Sequence, residues 1–262
     1  DRVGNSYLEQ EYESVLSGTK SQWETITDQS GAVVAREESY EGKAGDNLVL
    51  TIDIDFQKEI EQIATDFLNS NVDSYNDRIY IVASDPNTGE ILGMTGKQRS
   101  TSNEIVDDAL GVINSSYGMG SAVKGAMVLT GYMSGVISAD NNVLVDEPLQ
   151  FQGSNPKKSV FNPTIGNQVA INDIEALARS SNVYMIKLAM LMGGQSTYES
   201  GGTLNISPDL IDELRSYFAQ FGLGVKTGID LPNEGSGLTG FSQAAVNVVD
   251  QSFGQYDLYT TL

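Results

Sequence analysis

Three serines in this 262-residue chain stand three positions ahead of a lysine, at Ser17/Lys20, Ser121/Lys124 and Ser154/Lys157. A serine hydroxyl becomes a nucleophile only when a neighbouring base takes its proton, and an unprotonated lysine is such a base. The chain contains no histidine and no cysteine. Ser-His-Asp triads, thiolate nucleophiles, disulfides and the common zinc sites are therefore excluded, and any nucleophilic catalysis has to run on Ser, Thr, Lys or a carboxylate. No Asp-x-Asp-x-Asp-Gly loop points to calcium, so neither a metal nor an organic cofactor is expected.

Context separates the three pairs. Ser17 adjoins Gly18 in a polar stretch, and Ser154 shares its loop with Pro156, so neither pair is held in a fixed geometry. Ser121 lies in YGMGSAVKGAMVLTGY, where Gly118 and Gly120 permit a tight approach and an apolar helix follows. The spacing of three then puts Lys124 on the same face, one turn on. A helix N-terminus offers positive potential to an oxyanion developing at Ser121, and it disfavours a second positive charge on Lys124. The competing reading is a serine cap followed by a surface lysine.

ARSSNVYMIKLAM supplies a second element, in which Ser180 and Asn182 stand two apart at a junction between helical runs. A hydroxyl and an amide projecting from such a junction can face one cleft; simple helix capping by Ser180 or Ser181 competes with that reading. Another Ser-x-Asn, Ser74-Tyr75-Asn76, sits in a polar loop and reads as a turn. Lys226-Thr227-Gly228 is set among Gly222, Gly224 and Pro232, a composition that no central strand tolerates. It reads as a structural loop anchored by Ile229 and Leu231.

The elements that must position these residues are read from pattern. The first fifty residues are acidic and sparsely apolar and read as a linker or extended pedestal with a turn at Asp28-Gln29-Ser30-Gly31. LVLTIDID alternates as a strand, Asp55 is available to cap the next segment, and FQKEIEQIATDFL puts Phe56, Ile60, Ile63, Ala64 and Phe67 on one helical face. Ile79–Ser84 and Glu90–Met94 flank Pro86-Asn87-Thr88-Gly89 and predict a hairpin. Helices are predicted over Ser121–Met133, Ile171–Ala178, Val183–Met192, Ser207–Phe221 (with Ser207 as its N-cap and Gly222 just past its end) and Ser242–Ser252. Strand pairs followed by a helical block indicate an α+β or three-layer fold.

A formal charge of −20 makes phosphate backbones and anionic lipid surfaces poor partners, and nucleic acid is excluded. No window is apolar enough for a membrane span, and a chain opening on Asp1 without a signal-like stretch reads as a piece of a longer protein.

In sequence order, NLVLTIDIDFQKEIE, IVASDPNTGEILGM, YGMGSAVKGA, ARSSNVYM, FGLGVKTGIDLPNE and QSFGQYDLYTTL resemble the transpeptidase domain of class B penicillin-binding proteins, of the kind that includes the 2B branch of Gram-positive cocci and their relatives. GNSYLEQEYESVLSGTK is similar to the segment joining that family's pedestal to its catalytic domain. The resemblance implies an α+β, serine β-lactamase-like transpeptidase fold, an antiparallel sheet with helices on both faces, incomplete at the C-terminus. Residues 1–46 would be linker and pedestal remnant, and 47–262 transpeptidase domain.

The resemblance also implies a peptidoglycan D,D-transpeptidase that β-lactams acylate. Ser121 would attack the penultimate D-alanine carbonyl, Lys124 take the serine proton, Ser180 relay a proton toward the leaving amine, and Asn182 hydrogen-bond Lys124 and the substrate amide. Implied partners are peptidoglycan stem peptides, β-lactams and a glycan-polymerising membrane protein. The implied location is the outer face of the cell membrane, through an N-terminal anchor absent from this chain. In the family the catalytic Lys-Thr-Gly or Lys-Ser-Gly strand comes after the Gly-Gln-Tyr-like block, whereas Lys226 precedes it, so Lys226 is expected to take no part. With that strand goes a second oxyanion donor, whose loss costs about 2.7–4 kcal/mol, and the chain alone is expected to be inactive. A β-lactam-sensing domain acylated without turnover, or a non-catalytic scaffold of the cell-wall machinery, would use similar surfaces.

Overall fold

The computed structural model describes residues 3–73, 75–240, 244–256 and 258–262. The chain forms two compact units, Asp1–Val112 with Gly228–Glu234, and Ile113–Thr227 with Gly235–Leu262.

In the first unit the acidic N-terminal stretch contains two short helices, Tyr7–Glu11 and Glu13–Leu16, and an antiparallel hairpin of Gln22–Thr27 with Val33–Tyr40. The expected turn closes it. Asp28 accepts the Ser30 hydroxyl at 2.6 Å and the Ser30 and Ala32 N–H groups at 2.8 and 3.0 Å, which holds its carboxyl below the usual range, and Gly31 takes φ +84°.

LVLTIDID, by contrast, forms no strand. It touches the next sheet through isolated bonds, Thr51 Oγ1 donating to Ile91 O at 2.6 Å and Asp53 N to Leu92 O at 3.0 Å. Asp53 rather than Asp55 is the cap of the helix Ile54–Ser70, because its carboxylate accepts the N–H groups of Asp55 and Phe56, both at 3.0 Å.

That helix buries Ile60, Ala64 and Leu68, spaced i, i+4, i+8, while Phe56, Ile63 and Phe67 of the expected stripe stay exposed. The rotation is set by the antiparallel sheet beneath it, formed by Arg78–Ser84, Ile91–Arg99 and Ile105–Asp107 in that order. Gly93 admits Ile60, whose Cδ1 lies 2.9 Å from where a Cβ would be. The Gln57 amide then fixes the register, donating to Met94 O and accepting from Met94 N, each at 2.9 Å.

In the second unit the helix Asn182–Met192 lies at the centre of the core, with Val183–Ile186 and Leu188–Met190 all buried. A helix apolar all round is stable only inside a core. The helices Lys124–Met133 and Ala245–Gln251 pack against it, and Leu210–Ala219 packs against Lys124–Met133, together contributing Met127, Val128, Leu210, Leu214, Phe218, Val248 and Val249 to the same cluster. Each such side chain contributes about 1.5–3 kcal/mol of burial before entropy is subtracted.

Several predicted helix ends move. The second helix is Asp173–Ala178, started by a capping box between Asn172 and Glu175, and Ile171 belongs to a strand, Val169–Ile171, paired with Leu144–Asp146. The helix expected from Ser207 begins instead at Leu210, and the Ser207 hydroxyl accepts only the Asp209 N–H, at 3.3 Å. The last is Ala245–Gln251; residues 242 and 243, part of the predicted helix, lie outside the described residues, as does Ser74. A small antiparallel sheet has Leu258–Thr260 between Tyr117–Gly118 and Leu238–Thr239.

Candidate active site

Ser121, Lys124, Ser180 and Asn182 converge within the second unit. Ser121 lies in a 3₁₀ turn, Gly120–Val123, that runs directly into the helix Lys124–Met133. Gly120 takes φ +52°, and its N–H donates to Gly254 O at 3.1 Å. A Cβ on Gly254 would stand 2.0 Å from Gly120 O, and Gly254 itself has φ +79°. Substituting Gly254→Ala is therefore expected to cost about 1–2 kcal/mol in backbone strain and about 1–3 kcal/mol in overpacking. Thermal melting checks the loss of stability.

The second pair sits on a helix-to-helix junction. The helix Asp173–Ala178 ends with Ser180 N donating to Leu177 O at 3.0 Å and Ser181 N to Ala176 O at 2.8 Å, the two bonds of a Schellman closure. Such a closure needs a left-handed residue and usually takes glycine; here it is Ser180, at φ +52°. Ser181 then caps the next helix by accepting the Tyr184 N–H at 2.9 Å, and Asn182 is that helix's first residue. Capping by Ser181 and projection of Ser180 and Asn182 are thus both realised.

Lys124 is 2% exposed and joins the two elements. Its Nζ donates to Asn182 Oδ1 at 2.6 Å, to Ser180 O at 2.8 Å and to Ser180 Oγ at 3.0 Å. Ser180 Oγ in turn donates to Ser121 Oγ at 3.0 Å, so the hydrogen-bonded link from lysine to Ser121 runs through Ser180. A direct contact between Lys124 and Ser121, implied by the helical spacing alone, is replaced by this two-step path. Burial lowers the Lys124 pKa to about 8, against an opposing contribution from the Asp146 carboxylate. A lysine in this state exchanges protons near neutral pH. Asn182 is held from behind, its Nδ2 donating to Lys158 O at 3.0 Å.

The other motif copies have other roles. Lys157 pairs with Asp250 at 2.6 Å, while the Ser154 hydroxyl bonds backbone oxygens of its own loop. Ser17 is exposed. Lys226 is exposed on a segment with no strand, and the polar partners of Lys124 come from Ser180 and Asn182. Sequence reasoning missed Asp146, Ser159 and Asn162, which lie buried behind the junction. Nothing in VDEPL or KKSVFN marks them, because the bonds that Asp146 makes with Ser159, Asn162 and Ser181 span 13 to 35 positions.

The family described as "Penicillin binding protein transpeptidase domain" matches residues 79–262, and "Penicillin-binding Protein dimerisation domain" matches residues 1–50. The chain belongs to the penicillin-binding protein transpeptidase family. It is similar to penicillin-binding protein 2A of Bacillus subtilis, 47% identical over the whole of this chain and 37% of that protein. It is also similar to penicillin-binding protein 2B of Streptococcus pneumoniae, 37% identical over the whole of this chain and 39% of that protein. The solved structure of penicillin-binding protein 2B from Streptococcus pneumoniae strain R6 superposes with a TM-score of 0.87 at 35% identity, over 99% of this chain and 43% of that one. The penicillin-binding protein fold is thus the expected α+β arrangement of helices and antiparallel sheets. This chain spans about two-fifths of the length of the curated relatives it matches.

Proposed function

We propose that the protein containing this chain is a peptidoglycan D,D-transpeptidase, and that Ser121 is its nucleophile. The observation that carries the reading is the continuous path Ser121–Ser180–Lys124, closed by Asn182 on a buried lysine of lowered proton affinity. Family membership supports the substrate class, a stem peptide ending in D-alanyl-D-alanine or a β-lactam that resembles it.

With Lys124 neutral, the Ser121 proton moves to Ser180 Oγ as the Ser180 proton moves to Lys124 Nζ. Ser121 Oγ forms a bond to the penultimate D-alanine carbonyl carbon, and the oxyanion lies by the Ser121 N–H at the start of the turn. Collapse breaks the C–N bond. The proton returns through Ser180 to the departing amine, leaving an ester on Ser121. An amino group of a neighbouring peptide attacks that ester and regenerates the serine. Asn182 keeps Lys124 aimed at Ser180 throughout. We extend the family reading to a glycan-polymerising membrane protein as partner and to the outer face of the cell membrane as location.

The reaction needs the free base, so its pH dependence has a fixed sign. Below about 8 the lysine is mostly protonated and acylation rises roughly tenfold per pH unit; above it the rate levels off. Stopped-flow acylation of the full-length protein by penicillin between about pH 6 and about pH 10 measures this. A rate independent of pH across that range would remove Lys124 from the role of base.

A further inference from the structure

Behind the junction that carries Ser180 and Asn182 lies a buried carboxylate that the proposed reaction does not use. Asp146 is 0% exposed. Its Oδ2 accepts the hydroxyls of Ser181 at 2.5 Å and Ser159 at 2.6 Å, and its Oδ1 accepts Asn162 Nδ2 at 3.1 Å. Both serines face the start of the central helix. Ser159 Oγ accepts the N–H groups of Asn182 at 3.0 Å and Val183 at 3.2 Å, and Ser181 Oγ accepts that of Tyr184 at 2.9 Å. Three N–H groups that a helix leaves without partners thus end on two hydroxyls, and both hydroxyls end on one carboxylate. Negative charge is favourable at a helix N-terminus, and a buried anion persists only when so satisfied.

We infer that Asp146 is a positioning residue of the active site, acting through Ser159 and Ser181 to clamp the Ser180–Asn182 junction against Lys124. Ser181 stands between the two residues that hold the lysine, so a carboxylate fixing Ser181 fixes both. The network also sets the charge around the base. Ser180 and Asn182 present neutral oxygens to Lys124, and Asp146 is the charge that raises its proton affinity against the effect of burial. Asp146 is itself faced by the neutral Ser159, Ser181 and Asn162. Of the acidic and basic groups near it in sequence, Glu147 pairs with Lys187 at 2.8 Å, Lys157 pairs with Asp250 at 2.6 Å, and Lys158 is exposed.

The inference rests on Ser121 being the nucleophile, and its test separates the two. In the full-length protein, Asp146→Asn removes the charge, whereas Ser159→Ala keeps the charge and removes one clamp. Both are expected to slow penicillin acylation roughly tenfold to hundredfold, since small displacements of catalytic groups carry such penalties. Only Asp146→Asn should move the pH midpoint of acylation, downward from the wild-type value, because the lysine loses its supporting anion. A purely structural role would leave the midpoint where it was. Should Asp146→Asn fail to fold, Ser159→Ala still decides: a wild-type acylation rate in a folded Ser159→Ala protein overturns the clamp. An unmoved midpoint in folded Asp146→Asn overturns the electrostatic part. Wild-type protein that is not acylated at Ser121 overturns the nucleophile reading, and this inference with it.

Discussion

Lys124→Met is expected to slow β-lactam acylation by about a hundred- to ten-thousandfold, the range that a positioned general base contributes. Methionine fills much of the space of the lysine stem in a pocket that is nearly closed to solvent. It supplies no base, and it leaves Ser180 O, Ser180 Oγ and Asn182 Oδ1 without the donor they share. Ser180 is exposed and Asn182 half-buried, so water can reach the freed acceptors and each loss stays below the about 1–3 kcal/mol of a fully buried unpaired group, further offset because a charged amine no longer has to be desolvated. The rate should therefore fall far more than the stability. Lys124→Arg sharpens the comparison, because a guanidinium keeps the charge and cannot give up its proton at accessible pH. Both variants should be similarly slow in a stopped-flow acylation assay. A fast Lys124→Arg protein would mean that the residue acts as a fixed charge and that the base is elsewhere.

Ser180→Gly is expected to separate stability from activity. The left-handed conformation of Ser180 costs a non-glycine residue about 1–2 kcal/mol, and glycine adopts it freely. The Schellman closure itself uses backbone groups and survives the change. Removing the side chain deletes the hydroxyl between Lys124 and Ser121, so the proton path is cut. The variant should melt at or above the wild-type temperature and acylate about a hundredfold more slowly. Ser180→Ala keeps the strain and loses the hydroxyl, so it should be as slow with no gain in melting temperature. Calorimetry and acylation kinetics on the two proteins check the pair. Wild-type kinetics in Ser180→Gly would show that protons reach Lys124 by another route.

What the sequence revealed was governed by distance along the chain. Ser121 and Lys124 were legible because three residues of helical spacing bring them to one face, and the absence of histidine and cysteine left few other nucleophilic chemistries. The absence of a strand around Lys226 was equally local, since its surrounding glycines and proline argued against one and none is present there. That Ser180 and Asn182 meet Lys124 was legible only through resemblance, because the contact spans 56 to 58 positions. Asp146 and Ser159 carried no signal at all for the same reason.

Errors in the fold have the same physical origin. Alternation in LVLTIDID implies one buried face made of Leu48, Leu50, Ile52 and Ile54, yet Leu50 is 46% and Ile54 61% exposed, and the segment pairs through only isolated bonds. The hairpin of residues 22–40 went unread because both its faces are exposed, leaving no period-two pattern to find. The choice between Asp53 and Asp55 as cap depended on where the helix meets its sheet, which is tertiary information.

The central claim is that Ser121 is acylated through Ser180 and Lys124, and the most direct test is the intact mass of the full-length protein before and after incubation with penicillin, combined with peptide mapping. The account predicts a single adduct of one penicillin, on the peptide containing Ser121. An adduct on any other serine, or no adduct from a folded protein, would contradict it.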